Sequence, residues 1–318
     1  MNRGATFIGA LLVTLATPAT WVTALAVFLI RGGFLVVLLP VVVLPSVVGV
    51  GNVLAPALTA VAFGSITTEF VAVTVAIVIV VVAWLLLGGW FAAALEAEAV
   101  RTVVADDEVG QLVGEPPIEA GAGPRRGHQP DRILAARLLA FVPFGLALAV
   151  GSVRLVSVTY RELTSPIDVA TPVLLRVIRA SPEVIVALLL TWMVAEILSA
   201  IAARRIVLAG DGVLAALRGA AETALRHPLS TLARFWLPTL VLLAVLLPAM
   251  LAASAAWGAL RGVLGQWVDP AGVFVGVVLF VGLWAIGLLL VAVVCAWRAA
   301  IWTVSAGVTR HPEVIAGV

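Results

Sequence analysis

The sequence has no lysine, one cysteine, one tyrosine and three histidines, and only 11% of its 318 residues are charged. Each shortage excludes something. A soluble domain carries about 25% charged residues, and a chain with so few could not cover its surface with polar groups. Without lysine there is no Walker-type phosphate loop. The lone Cys295 cannot form an intramolecular disulfide, and in its apolar run it reads as a small buried hydrophobe. His128, His227 and His311 are isolated, and two of them precede proline, so neither a metal site nor a cofactor is expected. No Gly-x-Ser-x-Gly elbow and no HExxH helix is present. The net charge of +2 is spread along the chain and gives nucleic-acid binding no support. All 19 basic residues are arginine, which we read as base composition of the genome and not as mechanism.

What the chain has instead is apolar length. It is 63% hydrophobic with a mean hydropathy of +1.20. A bilayer span needs roughly 20 apolar residues. Uncharged runs cover Phe70 to Leu95, Phe235 to Leu260 and Pro270 to Trp297. A shorter run, Leu138 to Val153, is flanked by Arg137 and Arg154, whose side chains can snorkel to the interfaces. A further run follows Pro182. The N-terminal region allows several readings, because Arg31-Gly32-Gly33 interrupts an otherwise uncharged stretch. Phe7–Ala16 can be an interfacial helix before a single span that starts at Pro18, or two spans can be broken at the glycines. Residues 1–19 also have the outline of a leader peptide, against which stands the long apolar run that follows. An internal echo favours the single span: "ATPATW" leads to "FLVVLLP" as "RHPLST" leads to "LLAVLLP". Proline at the first helical position, where its missing N–H is not needed, recurs at Pro182, Pro228 and Pro312.

The expected fold is therefore all-α: one polytopic membrane domain of six transmembrane helices in three hairpins, with interfacial amphipathic helices. The spans fall at about 18–45, 69–95, 134–158, 182–203, 229–258 and 271–297. Thirteen arginines then lie on one side and five on the other, with Arg31 inside the first span. By the positive-inside rule both termini are cytoplasmic, in a bacterial inner membrane. Residues 102–131 read as a flexible cytoplasmic loop, polar and rich in Gly and Pro. Residues 211–226 read as an amphipathic helix lying in the headgroup region. Asp211 would be its N-cap, Leu214, Leu217, Ala221 and Leu225 one stripe, and Arg218, Glu222 and Arg226 the next. On the opposite side Thr171–Pro182 can do the same. Arg218, Arg226, Arg176 and Arg179 are thus the expected contacts to the membrane interface.

One carboxylate stands out. Glu196 lies inside "LLLTWMVAEILSAIAARR", and the next charge, Arg204, is eight residues or about 12 Å along a helix. A charge at mid-bilayer costs about 2.5–3.5 kcal/mol on insertion scales. Its helical neighbours are Trp192, Ser199, Ala200 and Ala203, and Ala195, Ser199 and Ala203 form a small-xxx-small pattern that lets another helix approach. Glu196 is then a proton or ion relay, a wall of a substrate cavity, a structural ion pair, or a protonated, hydrogen-bonded carboxyl. Arg31 is the natural candidate partner, and Gly32 and Gly33 beside it can mark a broken helix of the kind that builds transporter sites. Tyr160, with Arg161 and Glu162, reads as an interfacial belt residue. The prolines within spans, Pro40, Pro143, Pro238 and Pro248, can kink them.

The alternation of interfacial pieces with long spans, the "RHP" helix starts and the segment "AEILSAIAARRIVLAGDGVLAAL" resemble a group of six-helix bacterial membrane proteins. That group includes the membrane domain fused to some glycerophosphoryl diester phosphodiesterases. The resemblance implies a fold and a location. It does not imply phosphodiesterase activity, since no cluster of His and acidic residues is present to hold the metal. The expected function is transport-like or lipid-handling, with an interior polar site at Glu196, Arg31, Ser199 and Trp192. The alternative is a structural or assembly partner of another membrane protein. An enzyme is not expected, because an isolated Glu lacks a second catalytic group at a recognisable spacing. Membrane lipids and other membrane proteins are the expected partners.

Overall fold

The structure is a computed structural model that describes residues 3–41, 64, 67–105, 128–165, 171, 173–264 and 270–308. Among these residues the only regular secondary structure is helical. The helices are α1 (Arg3–Ala16), α2 (Ala19–Phe28), α3 (Phe34–Leu38), α4 (Thr68–Ala83), α5 (Gly89–Val104), α6 (Gln129–Thr164), α7 (Val173–Ala180), α8 (Pro182–Ala209), α9 (Val213–Arg226), α10 (Pro228–Leu264) and α11 (Pro270–Val308). Five-residue π-turns, Leu29–Gly33 and Trp84–Gly88, join α2 to α3 and α4 to α5. Six helical stretches are long and apolar enough to cross a membrane: Ala19–Leu38, Thr68–Val104, Gln129–Thr164, Pro182–Ala209, Pro228–Leu264 and Pro270–Ala306. This is the expected all-α arrangement of six spans.

The helices outrun the uncharged stretches. The span expected at 134–158 is the middle of a 36-residue helix, and that at 271–297 belongs to one of 39 residues. An apolar run marks what hydrocarbon can cover, whereas the i→i−4 ladder continues until a residue stops it. Gly210 stops α8 with a left-handed φ of 70°. Pro182 and Pro228 each open a helix, as the sequence indicates. The loop expected at 102–131 is correspondingly trimmed: α5 takes its start and α6 its end, while 106–127 lie outside the described residues, as do 42–45 of the first span and Pro312.

Contacts divide the chain into two units, Met1–Val109 with Trp236–Ile301, and Gly110–Phe235 with Trp302–Val318. In the first, α2 packs on α5. Along α5 the buried residues Ala92, Ala93, Glu96, Ala97, Val100, Val103 and Val104 recur at helical spacing. The α10–α11 hairpin is antiparallel and close. A Cβ on Gly287 would come 3.0 Å from Ala249 Cβ, and one on Gly276 3.0 Å from Leu260 Cδ1. Leu242, Val291 and Val294 form its core, with Leu25 and Phe28 of α2 packed against them. The N-terminal helix, expected to lie at the interface, is packed: Ala10 and Thr14 are buried, and Trp297 Nε1 donates to Phe7 O at 3.0 Å.

In the second unit α8 packs along α6, and α9 packs against both. The small residues Ala195, Ser199 and Ala203 are all buried, as their spacing predicts. One detail of α9 differs from expectation. Its N-cap is Gly212, while Asp211 turns back to Arg205, with Oδ2 2.9 Å from both Nε and Nη2; a guanidinium is the stronger partner for a carboxylate than a backbone N–H. The inner face of α9 is the small-residue face, Ala216, Gly219 and Ala220, because the Arg205 guanidinium lies where a Gly219 side chain would be. Of the leucine stripe, Leu214 and Leu225 point outward, 75% and 79% exposed, while Leu217 is half-buried.

A close contact between α6 and α8 yields a test. A Cβ at Gly151 would come 2.6 Å from Val184 Cγ1. Gly151→Leu is expected to destabilise the protein by about 1–3 kcal/mol, despite a helix-propensity gain of about 1 kcal/mol over glycine. Thermal unfolding of the full chain in detergent reads this as a lower midpoint, partly restored by adding Val184→Ala. An unchanged midpoint would show that the two helices do not depend on close approach there.

Candidate functional site

The sequence-derived site residues do not assemble as expected. Arg31 donates from Nη2 to Glu96 Oε2, so its partner is Glu96 and the expected Glu196 pairing is corrected. The reason lies in the antiparallel fit of α2 and α5. Glu96 follows the uncharged run ending at Leu95 and looks interfacial in sequence, yet α5 continues past it and presents it to α2. Its side chain is 9% exposed, against 29% for Arg31.

This ion pair sits at a break in the first span. Within the turn Leu29–Gly33, Arg31 (φ −77°, ψ 15°) and Gly32 (φ 101°, ψ −4°) leave helical geometry. Each glycine is needed for a different reason. Gly32 supplies a positive φ that side chains disfavour, in open space. Gly33 supplies room: a Cβ there would lie 2.5 Å from Phe28 Cε1 and 2.6 Å from Phe28 O. The turn also reroutes the backbone. Phe34 N–H bonds to Leu29 O, five residues back, and so leaves Ile30 O without its α-helical donor. Trp84 Nε1 replaces that donor at 3.0 Å, from the first residue of the second π-turn. Trp84 also meets Phe34, ring centroids 5.3 Å apart, and Ile30 Cγ2 is 3.3 Å from where a Gly88 Cβ would be. Two irregular turns thus face one another, each fitted to the other. Such turns cluster at functional sites, and non-helical backbone at membrane depth is tolerated only where it is satisfied or lines a cavity.

Glu196 lies in the other unit and is half-buried. It shares a helical face with Trp192 and Ala200. Trp192 packs edge-on against Phe235, centroids 5.6 Å apart, and Ile197, Ala200, Phe235 and Trp302 form a buried cluster. Ser199 Oγ donates to the Glu196 backbone oxygen at 3.1 Å, which satisfies the hydroxyl within the helix. Trp302 Nε1 is buried without a hydrogen-bond partner among the described residues.

The interfacial arginines also divide. Arg176 is 11% exposed and held by Glu162, with Nη2 3.3 Å from Glu162 O and Nε 3.7 Å from Oε2, so it is not the lipid contact expected of it. Glu162 is itself buried, which its place next to Tyr160 and Arg161 in sequence did not indicate. Arg179 and Arg226 are exposed, and Arg218 is exposed beside Glu222 at 3.2 Å. Sequence reading missed Glu96 and Trp84, and it missed the buried Arg204, whose Nη1 donates to Ala200 O at 3.0 Å. A signal for Glu96 was available: Ala92, Ala93, Glu96, Ala97 and Val100 make one apolar face with the carboxylate inside it.

Two substitutions separate the parts of this site. Glu96→Ala leaves a guanidinium in an apolar setting and is expected to cost about 3 kcal/mol, while Trp84→Phe removes one hydrogen bond and is expected to cost about 1 kcal/mol. The double change Arg31→Met with Glu96→Leu should recover most of the first loss. Denaturant unfolding of the purified chain checks all three, and a double variant as unstable as Glu96→Ala would show that the pair is not isolated.

Among the described residues no group of three or more His, Cys, Asp or Glu side chains is placed to hold a metal ion. No family model, curated protein or solved structure matches this chain.

Proposed function

We propose that this chain is a multi-pass protein of the bacterial cytoplasmic membrane, with both termini in the cytoplasm, that carries out transport-like or lipid-handling work and is not an enzyme. The observation that carries the reading is the broken first span. A helix interrupted at Arg31–Gly32, with an ion pair and a rerouted carbonyl at the break, is the arrangement membrane transporters use to expose polar groups at depth. The distribution of arginines supports the orientation. The polar site is centred on Arg31, Glu96 and Trp84, and Glu196 with Trp192 and Ser199 forms a separate polar position in the other unit.

A second reading, a structural or assembly partner of another membrane protein, is favoured by α4. None of its 16 residues is buried, and Val73, Ile77 and Val80 are each more than half exposed. Lipid covers such a surface, and so can the helix of a partner.

Gly32→Ala separates the readings, because it changes no charge and adds only a methyl in open space while disfavouring the positive φ. Purification from native membrane, with co-purifying small molecules, lipids and proteins identified by mass spectrometry, is the measurement. Transport or lipid handling predicts a bound ligand that Gly32→Ala depletes while expression and monodispersity stay as in the wild type. A stoichiometric partner protein, with no ligand sensitive to Gly32, would overturn that reading in favour of the assembly role.

A further inference from the structure

Among the described residues Arg31 is incompletely used. A guanidinium carries five N–H donors in a planar fork. Among the described residues Arg31 makes one hydrogen bond, from Nη2 to Glu96, and its charge also acts on the Cys295 thiol. It lies twelve residues beyond Ala19 and seven before Leu38, inside the first span, and 29% of its side chain is exposed. Donors left unbonded in hydrocarbon are costly. Glu96, 9% exposed, meets one terminal nitrogen of the fork, and part of the Arg31 side chain remains accessible. The indole N–H of Trp84 is taken by Ile30 O and does not compete for an acceptor. From Trp84 α4, none of whose residues is buried, runs back for 16 residues, about 24 Å of largely apolar helix.

From this juxtaposition we infer that Arg31 binds the phosphodiester of an anionic phospholipid, whose acyl chains lie along α4. The inference rests on the broken-span site described above and names its ligand class. A phosphate suits the open fork because its oxygens can take parallel N–H···O bonds from one guanidinium. The α4 surface argues for a lipid over a soluble phosphate. A zwitterionic lipid has the same phosphodiester, but its ammonium is attracted to the Glu96 carboxylate, so the anionic headgroup is favoured.

The test uses the full chain in neutral detergent, with phosphatidylglycerol, phosphatidylcholine or inorganic phosphate added. Native mass spectrometry reads bound lipid, and thermal unfolding reads the shift each addition produces. Phosphatidylglycerol should be retained about tenfold better by the wild type than by Arg31→Gln, the loss of roughly one charge-assisted contact. Glu96→Gln, which keeps Arg31 and removes the competing carboxylate, should retain it at least as well as the wild type. Should Arg31→Gln fail to fold, Glu96→Gln and Arg31→Lys decide, since both keep a cation and both should still prefer phosphatidylglycerol to phosphatidylcholine. Equal retention by Arg31→Gln and wild type, no preference between the two lipids, or weaker retention by Glu96→Gln would overturn the inference. A shift caused by inorganic phosphate alone would overturn the lipid assignment. A neutral ligand that co-purifies in a Gly32-dependent way would overturn this inference and leave the transport-like reading standing.

Discussion

Hydrocarbon offers no hydrogen bonds, so every backbone N–H and C=O that crosses it must find its partner within the protein. The rest of this structure follows from that constraint. It explains why the six apolar stretches are built from helix and why the helices continue past the apolar residues, as α8 does until the left-handed Gly210 ends it. It also gives the places where the ladder fails their significance. At Leu29–Gly33 the α pattern is lost, and the structure answers by shifting Phe34 N–H to Leu29 O and supplying Trp84 to Ile30 O.

Packing is governed by a second consequence of the same solvent. Lipid is as apolar as leucine, so helices in a bilayer gain from contact mainly where they come close. Close approach is what the small residues provide. Gly151 admits Val184, Gly287 admits Ala249, Gly276 admits Leu260 and Gly219 admits the Arg205 side chain. In each case the glycine is there for space. Only at Gly32 and Gly210 does a positive φ in a helix-breaking position add a conformational demand.

Charge within the chain obeys the same economy of partners. Glu162 holds Arg176, Asp211 holds Arg205 and Glu96 holds Arg31. The first two are at helix ends, where water and headgroups share the cost. Arg31 is inside a span and makes one hydrogen bond among the described residues. That difference in environment, and not the residue types, singles out the Arg31–Glu96 pair as a site for ligand chemistry.

Hydropathy alone determined that the chain is a six-span α-helical membrane protein, because the period and length of apolar runs report a property of each segment by itself. It also located the small-residue contact at Ala195, Ser199 and Ala203, and it marked Arg31-Gly32-Gly33 as irregular. It could not pair charges that are distant along the chain. Arg31 and Glu96 are 65 residues apart, and only the antiparallel fit of α2 on α5 brings them together. Nor could it tell which stripe of α9 faces inward, since the choice was made by Arg205 occupying the space over Gly219 and not by the hydrophobicity of α9. Segment-level chemistry is written in the order of residues, whereas the partner of a buried charge is set by which helices touch.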